Sequence, residues 1–177
     1  MTLSTQTILT VLPEGYKYVA MSCAGLVLEC FFLGLIYINT VRGRTFTKEF
    51  MEREFGGEHA KAFEGQPPRK EGYPDSGNGW YSRKLSTQKW FEFNSAQRGH
   101  LNFVEFLPAM ILLTLITGFF YTKVAAYLGL ALFVSRLLYI GGYVIHPSFR
   151  SAGFLPMVLV IAVELSLIGY KLWKMFF

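Results

Sequence analysis

The chain has 177 residues, of which 52% are hydrophobic and 17% aromatic, and its formal net charge is +5. Soluble domains of this length are rarely so apolar, so the composition argues against a soluble domain and favours a membrane protein. The sequence contains no P-loop, no GxGxxG or CxxC motif, and no pair of histidines at metal-ligand spacing on a helix. It therefore offers no motif for nucleotide or metal chemistry, and we expect no metal site.

Four apolar runs follow one another along the chain, at about 18–39, 102–120, 124–144 and 154–173. Each is long enough to cross a hydrocarbon core of roughly 30 Å, which takes about 20 helical residues. The sequence therefore predicts an all-α integral membrane protein, a four-transmembrane-helix bundle in contact with lipid, with residues 1–177 forming a single domain. Glu29 and Glu164 fall near mid-span, so we expect each to point into the bundle, be neutral or have a partner.

A polar insertion at about 45–90 separates the first two runs. Its segment "FTKEFMEREF" places Phe46, Phe50 and Phe55 at near-helical spacing, and a loop rich in Gly and Pro follows. We expect a short helix followed by loop. A solvated insertion lying against the membrane or a neighbouring protein is a better interpretation than a second active site.

Basic residues are concentrated in two of the loops. Eleven of the 17 Lys and Arg residues lie between positions 40 and 100, and Arg150 lies between the third and fourth runs. The positive-inside rule places both loops in the cytosol or matrix and both termini on the opposite side. Eight acidic residues are interleaved with the basic ones between Glu49 and Glu92, so we expect no nucleic-acid partner.

Polar side chains lie at the start of the second predicted span, where hydrocarbon penalises them. In "FNSAQRGHLNFVE", Arg98, Asn102 and Glu105 are spaced i, i+4, i+7 and share one helix face, with His100 to its side. Polar groups gathered at the end of a span can face a water-accessible pocket between helices. They are therefore candidates for a functional site.

The third predicted span repeats this pattern in "SRLLYIGGY". Arg136, Tyr139 and Tyr143 are spaced i, i+3, i+7 and so share one face. The glycines at 141–142 leave room for a helix or a ligand to approach closely. Arg150 follows seven residues after Tyr143, in the short loop before the fourth span.

Arg42 ends the first span at the same expected depth as these residues. Because the planar fork of arginine suits carboxylates, the implied ligand is small and carries carboxylates, and it has an ammonium for Glu105 to hold. The alternative is structural. In that interpretation Arg98 and Arg136 snorkel to the interface, Glu105 pairs with one of them, and the tyrosines form an aromatic belt.

These segments resemble the MAPEG family, the membrane-associated proteins in eicosanoid and glutathione metabolism, and most of all its type 3 microsomal glutathione S-transferases. The resemblance is carried by "FNSAQRGHLNFVE", "SRLLYIGGY", "LPEGYKYV", "VRGRTF" and the spacing from Tyr143 to Arg150. It implies a four-helix subunit of a homotrimer in the endoplasmic reticulum or a mitochondrial membrane. Glutathione would bind as a substrate between subunits, on the cytosolic or matrix side.

The resemblance also implies a role for each matching residue. The residues that would hold glutathione are Arg42, Arg98, His100, Asn102, Glu105, Arg136, Tyr139 and Tyr143. Arg150 would be the catalytic residue, lying beside the thiol and stabilising the thiolate, which is the nucleophilic form. The chain departs from the family at Phe106, where some leukotriene-forming relatives have a tyrosine, and in its longer insertion.

Two functions follow as hypotheses. The first is a membrane-bound glutathione S-transferase or glutathione-dependent peroxidase that acts on lipophilic electrophiles or lipid hydroperoxides. The second is a catalytically idle accessory subunit, bound to foreign subunits in a larger membrane complex such as a mitochondrial respiratory complex. A homotrimer would favour the enzyme, whereas a single copy among foreign subunits would destroy an intersubunit site.

Overall fold

A computed structural model describes residues 12–177 of the chain. Four helical stretches are long and apolar enough to cross a membrane, namely Tyr16–Thr45, Thr87–Phe120, Thr122–Ile145 and Pro147–Phe176. No β-strand occurs in these described residues. The expected all-α, multi-pass membrane architecture is therefore confirmed, while the first 11 residues of the predicted domain lie outside the described part.

The first stretch combines three helical segments: α1 (Tyr16–Phe32), a π-helical segment (Leu33–Ile38) and α2 (Asn39–Thr45). The remaining helices, in chain order, are α3 (Lys48–Ala62), α4 (Thr87–Phe120), α5 (Thr122–Ile145) and α6 (Ser151–Phe176). Short 3₁₀ turns lie at Lys70–Gly72, Tyr81–Lys84 and Pro147–Arg150. The insertion thus consists of α3 and a loop that contains two of these turns.

The helices extend beyond the apolar runs, and α4 does so most. Its 34 residues begin at Thr87, whereas the apolar run begins near residue 102. A helix of that length is about 51 Å long, against a hydrocarbon core of roughly 30 Å. Hydropathy marks only the part of a helix that suits hydrocarbon, so the polar first turns of α4 were not part of the predicted span.

The chain divides into two compact units. The first contains the described residues up to Cys30 together with Phe103–Phe177, and the second is Phe31–Asn102. The first unit therefore holds α1 up to Cys30, the apolar part of α4, α5 and α6. The second holds the insertion and the helix segments that lead into it and out of it.

Close approaches between helices hold the first unit together. A Cβ atom at Gly153 of α6 would collide with backbone atoms of Ser135 and Tyr139 on α5, so only glycine permits this contact. The Tyr16 hydroxyl of α1 donates a hydrogen bond to the Leu115 carbonyl of α4 at 3.0 Å. Packing at small residues and interhelical hydrogen bonds are the usual forces between membrane helices, because lipid removes the hydrophobic driving force.

The two mid-span carboxyl groups are both in the first unit. Glu164 is completely buried, and its Oε1 accepts a hydrogen bond from the Thr114 hydroxyl at 2.8 Å. Glu29 is half-buried, and its two oxygens make no hydrogen bond within residues 12–177. Arg136 nevertheless lies close enough to attract the Glu29 carboxylate electrostatically. Glu164 thus has a hydrogen-bond partner, whereas Glu29 is only attracted by a nearby cation.

Helix α3 and the aromatic residues around it form the core of the second unit. Thr47 caps α3, since its side chain accepts a hydrogen bond from a backbone N–H in the first turn. Phe46 and Phe55 are completely buried, and their ring centroids lie 5.1 Å from Phe93 and 5.0 Å from Tyr81. Burying each such side chain stabilises the unit by about 1.5–3 kcal/mol. The insertion therefore has a hydrophobic core.

Asp75 organises the loop between α3 and α4. Its carboxylate accepts the backbone N–H groups of Gly77 at 2.7 Å and Gly79 at 3.0 Å. It also accepts the N–H of Ser82 at 2.7 Å and its hydroxyl at 2.6 Å. Burial raises the pKa of Asp75, but these hydrogen bonds outweigh burial, so the pKa lies below its ordinary value. Asp75 is therefore charged at neutral pH and holds the loop in one conformation.

We expect Asp75→Asn to destabilise the second unit by about 2 kcal/mol at pH 7, because the amide cannot replace a charged acceptor of four donors. A depressed folded-state pKa stabilises above the unfolded value of about 3.9, and this stabilisation is lost as pH falls through the folded value. The difference between variant and wild type should therefore shrink below about pH 4. Urea unfolding followed by tryptophan fluorescence measures this difference. A Trp173→Phe background leaves only Trp80 and Trp90, both in the second unit, as reporters.

The matched control is Glu52→Gln, which removes an exposed carboxylate that pairs with Lys48 at 3.7 Å. Such a surface pair contributes little, so this variant should unfold like wild type. A loss of stability that is equal for both variants, or that does not change with pH, would contradict the role given to Asp75.

Gly142 lets the turn at Pro147–Arg150 fold back against the end of α5. A Cβ atom at Gly142 would lie 2.5 Å from the Phe149 carbonyl oxygen and 3.0 Å from the Arg150 backbone nitrogen. A Cβ atom at the neighbouring Gly141 would meet nothing within 4 Å. The missing side chain at Gly142 therefore determines where the backbone of Arg150 lies.

We expect Gly142→Ala to destabilise the protein by about 1–3 kcal/mol, because backbone atoms must move to make room for the methyl group. Gly141→Ala is the control, since both substitutions bring the same gain in helix propensity and only one creates a clash. Thermal unfolding of both variants in one detergent checks this. Equal melting temperatures would show that the close approach at Gly142 carries no energetic weight.

Candidate functional site

Four of the predicted site residues are neighbours in the first unit. The Arg136 guanidinium lies 4.4 Å from the centroid of the Tyr139 ring, and the rings of Tyr139 and Tyr143 are 5.3 Å apart. The Arg150 guanidinium lies 5.7 Å from the Tyr143 ring. Arg136 is completely buried, whereas Arg150 is exposed. The four side chains thus form a row of cation, phenol, phenol and cation that leads from the interior to the surface of this unit.

Arg136 is the largest completely buried side chain of the described residues. Its guanidinium lies 4.4 Å from the Phe103 ring, and its Nη1 is 3.3 Å from the sulfur of Met157. Cation–π contacts of this kind contribute about 0.5–2 kcal/mol each, less than the cost of burying a charge. The electrostatic attraction from Glu29 offsets part of that cost.

The electrostatic attraction between Glu29 and Arg136 was not predicted from the sequence, where the two residues were considered separately. The sequence did contain an indication of this attraction, because two mid-helix charges of opposite sign in one small helix bundle are expected to lie close together. Its complete burial makes Arg136 part of the interior of the first unit as well as of the row of site residues. Phe103 and Met157 also surround Arg136. Their contacts with it could not be predicted from the sequence, because apolar residues at these positions are typical of any helix core.

Arg150 lies at the surface end of the row. Its Nη1 donates a hydrogen bond to the Pro147 carbonyl at 3.2 Å within the 3₁₀ turn. This bond and the contact with Tyr143 orient the guanidinium, while its exposure leaves it accessible to an anion. The arrangement is therefore able to stabilise negative charge on a bound ligand.

Phe106 and Glu105 belong to the same unit, on α4. The Phe106 ring packs 6.3 Å from Phe154, which in turn lies 6.4 Å from Tyr139. Glu105 is exposed on α4, next to Val104, which is 47% exposed.

The other four predicted residues belong to the second unit. Arg98 is exposed, His100 is half-buried and Asn102 is buried. His100 packs against the π-helical segment at Gly34, where a Cβ atom would lie 2.6 Å from the His100 Nε2. π-Helical segments are rare and frequently occur at functional sites. The hydropathy pattern contains no sign of this segment, so it could not be predicted from the sequence.

Arg42 is 4% exposed and lies inside the second unit. Its Nη1 donates a hydrogen bond to the Glu71 carbonyl at 3.0 Å, and its guanidinium lies 4.1 Å from the Tyr73 ring. Both partners belong to the insertion. This arginine is therefore engaged by the protein's own chain.

The row in the first unit combines two cations and two phenols, which are groups that can bind and orient an anion. Within residues 12–177 no group of three or more His, Cys, Asp or Glu side chains is placed to hold a metal ion. The chemistry available to these side chains is the binding and orientation of the ligand and the stabilisation of an anion at Arg150.

A comparison with known protein families identifies the chain. The model of the MAPEG family matches residues 20–170. The match reaches all four membrane-spanning stretches and includes the insertion and every residue of the candidate site. The chain therefore belongs to the MAPEG family.

Proposed function

We propose that this protein is a membrane-bound glutathione S-transferase or glutathione-dependent peroxidase, most similar to the type 3 microsomal enzymes. Its substrates are lipophilic electrophiles or lipid hydroperoxides, which reach the site from the bilayer. The observation that carries the proposal is the row of Arg136, Tyr139, Tyr143 and Arg150, which joins a buried cation to an exposed one through two phenols. The structural alternative, in which the tyrosines only form an aromatic belt at the membrane interface, does not account for an exposed arginine at the end of the row.

Glutathione has the chemistry that these side chains complement. It carries two carboxylates, which arginine binds well, and one ammonium, for which Glu105 is the natural partner. The proposed binding residues are Arg42, Arg98, His100, Asn102, Glu105, Arg136, Tyr139 and Tyr143. Tyrosine hydroxyls, the Asn102 amide and the His100 ring supply hydrogen bonds to the peptide groups.

Arg150 acts on the reacting sulfur. Its positive charge stabilises the thiolate, which attacks an electrophilic carbon, forms the S–C bond and releases the leaving group. With a hydroperoxide, the thiolate takes the terminal oxygen, and the remaining alkoxide is protonated to an alcohol. A second glutathione then converts the sulfenic acid to glutathione disulfide and water. No group besides glutathione and the substrate is consumed.

The proposal includes a homotrimer with glutathione bound between neighbouring subunits. The exposure of Glu105 on α4 leaves this carboxylate accessible to a ligand bound beside a neighbouring subunit. We place the site on the cytosolic or matrix side of the endoplasmic reticulum or a mitochondrial membrane. The basic loops that flank the spans favour this orientation.

One observation favours the second candidate, an accessory subunit of a larger membrane complex. The insertion has its own hydrophobic core, and it engages Arg42, one of the residues proposed for glutathione. A folded extramembrane unit of this kind suits docking onto a foreign subunit. In this alternative the row of Arg136, Tyr139, Tyr143 and Arg150 is present in the first unit but catalyses no reaction.

The function is tested by thermal unfolding of the native assembly with and without millimolar glutathione. A ligand that binds the folded state stabilises it by mass action, by about 2.7 kcal/mol at a hundredfold excess over Kd. We expect Arg98→Ala and Glu105→Gln each to reduce this protection to about 0.3–1.3 kcal/mol, since each loses a charge-assisted contact of about 1.5–3 kcal/mol. Arg69→Ala, which removes an exposed arginine of the insertion, is the control. Absence of any shift in the wild-type assembly would favour the accessory subunit.

The catalytic role is tested separately with Arg150→Ala. Because the other residues hold the peptide, we expect nearly normal glutathione affinity, with a thiol pKa raised by about one to two units and a rate lowered roughly ten- to a hundredfold at neutral pH. The rate should partly recover at high pH, where the thiol ionises unaided. Thiolate absorbance against pH measures the pKa, and Arg150→Lys, which keeps the charge, should titrate close to wild type. Identical titration of wild type and Arg150→Ala would exclude this role.

A further inference from the structure

A short segment of the insertion is attached to the end of the first membrane-spanning stretch. We call residues 70–73 the clip. Within it, the Glu71 N–H donates a hydrogen bond to the Phe46 carbonyl at 2.9 Å, and the Glu71 carbonyl accepts one from Arg42 Nη1 at 3.0 Å. Both backbone groups of one clip residue are therefore bonded to residues that end or follow the first span.

The backbone of the clip is shaped to fit this position. Glu71 and Gly72 both have positive φ, +71° and +61°, a conformation that costs a residue with a side chain on the order of 1–3 kcal/mol. A Cβ atom at Gly72 would lie 2.7 Å from the Phe46 ring, so only glycine allows the clip to approach so closely. The bonds to Phe46 and Arg42 offset the unfavourable conformation of Glu71. The clip is thus stable because it is docked.

Tyr73 covers the guanidinium of Arg42. The ring centroid lies 4.1 Å from the guanidinium carbon, and the Tyr73 hydroxyl donates a hydrogen bond to Asn39 Oδ1 at 2.9 Å. Phe93 lies 5.0 Å from the same guanidinium. As a result Arg42 is 4% exposed, while Tyr73 is 51% exposed. The clip therefore separates Arg42 from solvent.

Arg42 retains donors that the clip does not use. A guanidinium has five N–H donors, and one of them is bonded to the Glu71 carbonyl. Its Nε is buried and has no hydrogen-bond partner in the part of the chain that the structure describes. A neutral carbonyl is a weaker partner for a guanidinium than a carboxylate, which can accept two parallel charge-assisted bonds. A carboxylate would thus compete well for this guanidinium once it could reach it.

We propose that the clip is an internal gate on a carboxylate-binding site at Arg42. In the closed state the Glu71 carbonyl oxygen occupies a position that a carboxylate oxygen takes on the guanidinium, and the Tyr73 ring covers the same guanidinium, so ligand binding by Arg42 requires the clip to undock. Naming that ligand as glutathione rests on the proposed function, whereas the masking of Arg42 does not. Because only molecules with an open clip bind, the apparent affinity of the protein for the carboxylate ligand equals its intrinsic affinity multiplied by the fraction of molecules in which the clip is open.

The masking is measured directly with phenylglyoxal, which modifies accessible arginines, and mass spectrometry of the intact assembly's peptides. Arg42 should react several-fold more slowly than Arg69, which is exposed in the same insertion. Tyr73→Ala should accelerate modification of Arg42 without changing that of Arg69. Equal rates at Arg42 and Arg69 in wild type, or an unchanged rate in Tyr73→Ala, would overturn the gate.

Two controls separate masking from general loosening. Tyr73→Phe keeps the ring over the guanidinium, so phenylglyoxal should still modify Arg42 slowly. Phe63→Ala removes another aromatic residue of the insertion, which is also 51% exposed and contacts His59. In this variant too, phenylglyoxal should modify Arg42 slowly. Rapid modification of Arg42 in Phe63→Ala would mean that any lost aromatic ring loosens the insertion, and the specific role of Tyr73 would be lost.

Glu71→Gly tests the gate in the opposite direction. Glycine adopts the positive φ without strain and keeps the carbonyl that binds Arg42, so the clip should stay at least as firmly closed. Modification of Arg42 should be equal to wild type or slower. Faster modification would show that the clip is not held by the backbone contacts described above.

Ligand binding connects the gate to function. Tyr73→Ala should bind glutathione roughly three- to tenfold more tightly, and this gain should vanish in an Arg42→Ala background. Unchanged or weaker binding in Tyr73→Ala would refute gating of the ligand. If no variant, wild type included, binds glutathione, the proposed function fails, and the phenylglyoxal rates alone decide whether the clip masks Arg42.

Discussion

The burial of Arg136 inside an apolar bundle is the constraint on which the first unit depends. A guanidinium in hydrocarbon is stable only if opposite charge, aromatic rings or hydrogen-bond acceptors surround it. Glu29, Phe103 and Tyr139 supply part of these surroundings from three different helices. The helices must therefore pack in one particular arrangement around this side chain, and glycines such as Gly153 make that close packing possible.

The same constraint gives the candidate site its chemistry. Tyr139 contacts the buried Arg136 on one side and Tyr143 on the other, and Tyr143 contacts the exposed Arg150. A positive charge at the surface end of this row is favourable for a thiolate, and the same guanidinium donates a hydrogen bond to Pro147 within its turn. Gly142 adds a backbone contribution, since it lets the turn that carries Arg150 lie against α5. Structure and proposed catalysis thus use the same residues.

The insertion contacts one residue of the candidate site, Arg42. Asp75 organises its loop and Phe55 its core, so the segment has a defined conformation in which Tyr73 lies over Arg42. In the enzyme hypothesis this contact regulates one binding residue. In the accessory-subunit hypothesis it anchors a docking unit. The two differ in whether Arg42 ever meets a carboxylate ligand, and the reactivity of its guanidinium reports on that difference.

The sequence by itself determined the membrane class and the four spans, because the thickness of hydrocarbon imposes a length and a composition on any helix that crosses it. Helical spacing and the family's motifs also selected Arg136, Tyr139, Tyr143 and Arg150 as candidates. Only the tertiary structure decided that Glu29 attracts Arg136 and that the Glu71 carbonyl, 29 residues along the chain, binds Arg42. Such contacts join residues far apart in sequence, so they depend on how helices and loops pack, which no local pattern records.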